Sequence, residues 1–297
     1  ETQHKKLLKN PRFVSPFFIP SMISDILPGH ISIKYNFTGI NYSMASACST
    51  GNHAIGDAFR MIQNGMADII VTGGSEAAIT PMSVAGFSNM KALTKNGDIN
   101  SASRPFDVNR DGFVLGEGAG ILILEDYECA KKRNAKILCE IIGYSATADG
   151  HHITTPHPNG NGATLAMETA ITDAQISKQS IQYINAHGTS TPYNDKIETK
   201  AIKEVFKSHS NNLLVSSIKS MTGHLLGASG GIESIASILS IQHGYVTPTI
   251  NYLEPDPECD LNYVPNTGIK INVDFVLSNS FGFGGHNAVL IFKNYTN

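Results

Sequence analysis

Three residues stand in settings that could do chemistry. Cys48 lies in Ser46-Ala47-Cys48-Ser49-Thr50-Gly51, between an apolar strand-like segment and a helix-like one. His187 lies in Asn185-Ala186-His187-Gly188-Thr189-Ser190-Thr191. His224 lies in the glycine-bounded run Lys219-Ser220-Met221-Thr222-Gly223-His224-Leu225-Leu226-Gly227-Ala228-Ser229-Gly230-Gly231. A cysteine at a helix start faces the unpaired N–H groups and positive dipole end of that helix, which predicts a lowered thiol pKa and a nucleophilic thiolate. The plainer alternative is a small buried packing cysteine. Both histidines follow strand-like runs, and sites in α/β sheets gather at strand carboxyl ends. Two neutral imidazoles there can donate hydrogen bonds to a developing enolate or carboxylate. Lys219, at the end of the same strand as His224, would keep both rings neutral by charge repulsion. Glu233, on the following helix, is either the partner of Lys219 or an ordinary solvated glutamate.

The run Ser280-Phe281-Gly282-Phe283-Gly284-Gly285-His286-Asn287 is too glycine-rich for a strand interior, and such a loop can present backbone N–H groups to an oxyanion. Other motifs carry less. Gly116-x-Gly118-x-Gly120 precedes a strand instead of opening a helix, so it is not a dinucleotide fingerprint. His151, His152 and His157 share no helical face and have no evident carboxylate partner, so they read as loop histidines and not as a metal site.

The elements that must position these residues alternate between strand-like and helix-like runs, which argues an α/β fold. Strands are expected over Tyr42–Ala47, Asp68–Thr72 (ended by Gly73-Gly74) and Ile121–Leu124. A helix is expected over Gly51–Asn64, burying Ala54, Ile55, Ala58, Phe59 and Ile62 and stopped by Gly65. From Ile137 the alternation resumes: strands over Ile137–Tyr144, Ile181–Ala186 and Leu213–Ile218, each followed by a helix, over Ala163–Ala174, Asp195–Phe206 and Gly231–His243. Strands near Ile269–Leu277 and Ala288–Phe292 close the chain. Ser21–Leu27 reads as one short helix. The pattern is a divergent repeat, with halves at 1–130 and 131–297. In each half a strand leads through a small-residue turn into an amphipathic helix, at Cys48 and at His224. The first half has fewer units than the second, so the expectation is that an N-terminal segment is missing.

Bulk properties set limits. The chain has 297 residues, 41% hydrophobic, with 27 glycines and a formal net charge of −3. That charge suggests no nucleic-acid role. The four cysteines (48, 129, 139 and 259) form no Cys-x-x-Cys pair, so neither a zinc site nor a disulfide framework follows, and a reducing compartment is expected. No apolar stretch reaches membrane-spanning length. The sequons at Asn36, Asn41 and Asn294 are read as chance.

Taken together, the motifs around Cys48 (Ala47 through Ala58), His187, Lys219–Gly231 and Asn279–Gly285 resemble the β-ketoacyl-[acyl-carrier-protein] synthases, specifically the elongating members of dissociated, type II fatty acid synthesis. The likeness runs over essentially the whole chain. It implies the thiolase-like fold, two pseudo-repeated βαβαβαββ halves in five layers with the first half truncated here, and a homodimer. It implies condensation of an acyl-enzyme with malonyl-[acyl-carrier protein], with no cofactor or metal. By position, Cys48 matches the acyl-accepting nucleophile, and His187 and His224 match the pair that promotes decarboxylation. Lys219 and Glu233 match the supporting ion pair, and the N–H groups of Cys48 and Phe283 the oxyanion hole. Phe283 also matches the gate of the acyl pocket and Phe87 its wall. Phe281, Thr189 and Thr191 fall among substrate contacts, the two hydroxyls on the phosphopantetheine arm. Arg12 and Lys91 match positions that dock the acidic carrier protein, with Lys95 one helical turn from Lys91. The setting implied is a bacterial cytosol or a plastid-type organelle.

Alternatives stay open within the resemblance. A degradative thiolase would need a second cysteine near the C-terminus, where this chain has Gly-Phe-Gly-Gly-His-Asn. A starter-unit synthase would carry Asn at His224, and a non-catalytic chain-length subunit would lack Cys48. A polyketide ketosynthase usually has Gly-Thr-Gly-Thr after the histidine, where this chain has Gly-Thr-Ser-Thr. A folded but inactive fragment is the remaining possibility.

Overall fold

The computed structural model describes residues 1–296 and divides into two compact units, Glu1–Ala45 and the chain from Ser46 onward. Asn297, the last residue of the expected second half, lies outside the described residues.

The first unit holds two helices, α1 (Thr2–Leu7) and α2 (Ile26–Tyr35), joined by turns. None of its residues is buried. The helix expected at Ser21–Leu27 is displaced toward the C-terminus. Pro28 and Gly29 sit inside the first turn of α2, where a missing proline N–H costs nothing, so they do not end the helix. Asn36 closes α2 in the left-handed conformation at φ 54°.

The second unit runs α3 (Thr50–Gln63), β1 (Ile69–Glu76), α4 (Pro81–Asn89), β2 (Gly118–Glu125), α5 (Tyr127–Lys132), β3 (Cys139–Ala148), α6 (Asn161–Asp173), β4 (Tyr183–Asn185), α7 (Pro192–Phe206), β5 (Leu214–Ser216), α8 (Lys219–Thr222), α9 (Ser229–His243), β6 (Tyr245–Val246), β7 (Ile269–Lys270), β8 (Phe275–Gly282) and β9 (His286–Asn294). Strands β3-β9-β8-β4-β5 form the main sheet. It is antiparallel on the β3-β9-β8 side and parallel from β8 through β4 to β5. Both of its faces are covered, which explains the near-continuous apolar runs. Along β8 and β9 the side chains alternate between two cores. Leu277, Val289 and Ile291 join Met167, Ala170 and Ile202 of α6 and α7. Val276, Leu290 and Phe292 join Ile55 of α3 and Ile238 and Ile241 of α9.

Three strand expectations are corrected. Tyr42–Ala47 forms no strand, because alternation of side chains supplies no neighbour to receive the backbone hydrogen bonds. Ile269–Leu277 is two strands, β7 and the start of β8, pairing with different partners. Strand β1 does not stop at Gly73-Gly74 but runs on to Glu76, antiparallel to β2. Those glycines make room instead of ending a strand. A Cβ on Gly73 would lie 2.1 Å from the Gly120 carbonyl oxygen, and one on Gly74 2.5 Å from that of Gly227. The turn ahead of α9 thus rests directly on the β1 backbone.

Candidate active site

Two helix starts meet back to back. A Cβ on Gly51, in the first turn of α3, would fall 2.7 Å from the Gly231 nitrogen in the first turn of α9. Only glycine allows this approach, and it sets the Cys48 turn beside the His224 turn. Cys48 sits in a single 3-10 turn, Ala47–Ser49, entering α3. Ala47 holds a left-handed φ of 50°. Hydrogen bonds fasten the turn: Ser46 N–H to Thr50 Oγ1 at 2.9 Å, and the Thr50 hydroxyl to the Ala47 carbonyl at 2.7 Å. The Ser49 hydroxyl reaches the His286 carbonyl at 2.6 Å and so ties the turn to the β8–β9 hairpin. The backbone N–H groups of Phe283, at the tip of that hairpin, and of Cys48 itself lie near enough to the sulfur to favour its thiolate.

The thiol departs from the sequence reading. Burial pushes Cys48 up to about 11, outweighing the nearby Lys219 ammonium and the two N–H groups that pull it down. The resting group is a neutral thiol, because stripping water from a thiolate costs more than the helix start returns.

His187 and His224 are both buried, with ring centroids 5.4 Å apart and planes near perpendicular. Burial, then Lys219, holds both well below the ordinary histidine range, and at His187 the neighbouring His224 adds to this. The tautomer of His224 follows from its neighbours. The Leu226 N–H reaches Nδ1 at 3.3 Å and can only donate, so the ring proton is on Nε2. At His187 the Lys219 ammonium lies 3.4 Å from Nδ1 and donates to the His187 carbonyl. Its third partner is Glu233 Oε1, with both side chains almost fully buried. Glu233 is therefore no solvated helix glutamate.

The other expected residues distribute as follows. Phe281 packs 5.8 Å from His187, ring to ring. Phe87 contacts Phe113 at 5.4 Å, and Phe113 contacts His224 at 5.1 Å, so Phe87 reaches the histidine through one intervening ring. The Thr189 and Thr191 hydroxyls are 2.8 Å apart. Thr191 also caps α7 through the Asn194 N–H. Lys91 is exposed with φ 58°, and Arg12 is exposed in the first unit. Lys95 is not a helical turn from Lys91, because α4 has ended at Asn89.

Sequence reasoning missed two carboxylates that hold the His187 loop. Glu198 accepts the N–H groups of His187 and Gly188, each at 2.8 Å. Asp195 accepts those of Thr189 at 2.9 Å and Ser190 at 3.1 Å. Four successive backbone donors are thus caught by two side chains one turn apart on α7. Asn279 of β8 adds a bond to Glu198 at 3.0 Å, and Arg110 lies beside Asp195. Burial pushes Glu198 up to about 7 and raises Asp195. The available signal was an Asp and a Glu three residues apart just inside a helix that opens with Thr-Pro.

Among the described residues, no group of three or more His, Cys, Asp or Glu side chains could hold a metal ion, and no helix is long and apolar enough to cross a membrane.

Comparison with known proteins bears on this geometry. Residues 1–130 match the family model described as "Beta-ketoacyl synthase, N-terminal domain", and residues 138–253 match "Beta-ketoacyl synthase, C-terminal domain". The chain is 53% identical over 296 residues to 3-oxoacyl-[acyl-carrier-protein] synthase 2 of Staphylococcus aureus, covering 99% of this chain and 72% of that protein. It is 54% identical over 297 residues to the protein of the same description in a Synechocystis species, covering 99% and 71%. Among solved structures it is similar to a ketosynthase in complex with a type II PKS acyl-carrier protein, with TM-score 0.95, 38% identity, and coverage of 97% and 71%. It is also similar to a beta-ketoacyl synthase from Burkholderia phymatum, with TM-score 0.93, 35% identity, and coverage of 99% and 72%.

Proposed function

The chain belongs to the beta-ketoacyl synthase family of condensing acyltransferases, and from that premise we propose how its own residues divide the reaction. The reaction is the decarboxylating condensation of an acyl-enzyme with malonyl-[acyl-carrier protein], giving 3-oxoacyl-[acyl-carrier protein] in type II fatty acid elongation.

Cys48 attacks the acyl thioester, and its proton leaves with the departing pantetheine thiol. A thiol held near 11 suits this exchange, because the leaving thiolate takes the proton as the new carbon–sulfur bond forms. Malonyl-[acyl-carrier protein] then enters and loses CO₂. The negative charge collects on its thioester oxygen, where the Nε2–H groups of His187 and His224 donate to it. Neutral donors are needed at both rings, and Lys219 with burial keeps them so. The enolate carbon attacks the carbonyl of acyl-Cys48. The N–H groups of Cys48 and Phe283 receive the resulting oxyanion, which collapses, releasing the product and the Cys48 thiolate, which takes a proton from water to restore the resting thiol. Preorganised donors of this kind are each worth about 10²–10³ in rate.

The observation that carries the reading is the pair of buried neutral imidazoles, 5.4 Å apart, beside the Lys219–Glu233 pair. Phe281, Thr189, Thr191, Phe87 and the Phe283 gate contact the substrate in this reading. Arg12 and Lys91 meet the carrier protein. The enzyme acts as a homodimer, and its halves divide at 1–130 and 131–297.

The test is separation of the half-reactions. Acyl-carrier-protein thioester should leave its acyl group on Cys48, read by mass spectrometry of the digested protein. His224→Ala should still acylate at Cys48 but fall by about 10²–10³ in CO₂ release from malonyl-[acyl-carrier protein]. Acylation at another residue, or normal CO₂ release from both His187→Ala and His224→Ala, refutes it.

A further inference from the structure

The His224 ring has a second anchor besides the Leu226 N–H. Ser229 opens α9, is buried, and places its hydroxyl 2.9 Å from His224 Nδ1. The direction of that bond can be deduced. Leu225 N–H donates to Ser229 Oγ at 3.1 Å, and Leu226 N–H donates to Nδ1 at 3.3 Å. Nδ1 therefore carries no proton, and Ser229 must be the donor. Two hydrogen bonds thus converge on one lone pair. They oppose a flip of the ring and a move of the proton from Nε2 to Nδ1, and both must break before the ring can become an imidazolium.

The Ser229 bond is the shorter of the two, and it comes from a side chain. The backbone donor alone leaves a 3.3 Å contact to fix the ring. We infer that Ser229 is a positioning residue for His224: its hydroxyl fixes the ring in the Nε2–H tautomer and aims that proton at the reacting oxygen. The inference deepens the role given to His224 above and rests on it. A merely structural serine would serve only the Leu225 N–H and would leave the ring's proton distribution untouched.

Nitrogen NMR of the folded chain, labelled with ¹⁵N at histidine, decides between these. The His224 signals are assigned by their loss in His224→Ala. In wild type Nδ1 should show the signature of a hydrogen-bonded acceptor and Nε2 that of a protonated nitrogen. In Ser229→Ala the Nδ1 signal should move toward that of a free lone pair, and the Nε2–H signal should weaken as the ring loosens. Ser229→Thr, which keeps the hydroxyl, should restore both. If Ser229→Ala fails to fold, Ser229→Cys, a weak donor of similar size, carries the same comparison. Unchanged nitrogen signals in the folded variant overturn the inference.

Loss of one neutral hydrogen bond should also slow malonyl decarboxylation by about fivefold, with Cys48 acylation unchanged. Shifted nitrogen signals with unchanged decarboxylation would overturn the positioning role of Ser229 alone, whereas normal CO₂ release from both His187→Ala and His224→Ala would refute the reading it rests on. The two failures are therefore distinguishable.

Discussion

Replacing one member of the buried Lys219–Glu233 pair should damage the protein more than replacing both. The ammonium and carboxylate have side-chain exposures of 1% and 2%, so neither can be rehydrated without opening the fold. Lys219 directs its donors to Glu233 Oε1, the His187 carbonyl and His187 Nδ1. In Glu233→Gln the ammonium keeps neutral acceptors but loses the counter-charge of Glu233. A buried charge stranded this way costs about 3–5 kcal/mol. In Lys219→Met the stranded group is a carboxyl that burial already raises above its usual range, so it can escape part of the penalty by taking up a proton. Glu233→Gln should therefore be the worse single change at neutral pH. The double variant, with no charge left at the pair, should regain at least about 1 kcal/mol over Glu233→Gln. The chain has no tryptophan, so urea unfolding is best followed by circular dichroism, with the slopes compared to check that all four proteins unfold alike. Additive losses, or a Glu233→Gln cost under about 1 kcal/mol, would refute the argument.

Alkylation of Cys48 by iodoacetamide should accelerate about tenfold per pH unit from 7 to 9 without levelling, as a thiol held near 11 requires, and a plateau below pH 8 would contradict it. His187 and His224 are held below their unfolded pKa, so the stability they lend is present above about pH 6.5 and lost as pH falls. The drop in urea midpoint from pH 7.5 to 5 should accordingly shrink in His224→Gln, and an equal drop would oppose the reading. Glu198→Gln puts an amide donor against backbone N–H groups, so it should cost about 1–3 kcal/mol and slow CO₂ release more than acylation of Cys48. Arg12→Glu and Lys91→Glu should each weaken carrier-protein binding at low salt and little at high salt, as exposed charges do. If neither differs from wild type at low salt, the docking surface is elsewhere.

What the sequence disclosed and what it hid divide along a physical line. Cys48, His187, His224 and Lys219 were legible because each sits where a strand-like run breaks into small residues, and that break is local. The β9 run was legible because a sheet covered on both faces writes its burial into consecutive residues. Features set by distant chain were not. Gly73 and Gly74 read as a stop, yet they lie within β1. The demand for glycine there comes from Gly120 and Gly227, far away in sequence. Glu198 and Asp195 drew no notice within the helix expected over Asp195–Phe206, because nothing local shows that four N–H groups of the preceding loop fold back onto them.

The Cys48 thiol shows the same division inside a single residue. Its helix start is a local feature, and that feature alone argues for a thiolate. Its burial is a sum over α9, the β8–β9 hairpin and the His224 turn, and that sum decides the sign. A cysteine neutral at rest but ringed by N–H donors is poorly suited to attack whatever diffuses past. It suits a bound thioester, whose leaving sulfur can take the proton and whose carbonyl oxygen can occupy the donors. In the proposed reaction, burial that looks at first like a defect in the nucleophile thereby works as selectivity.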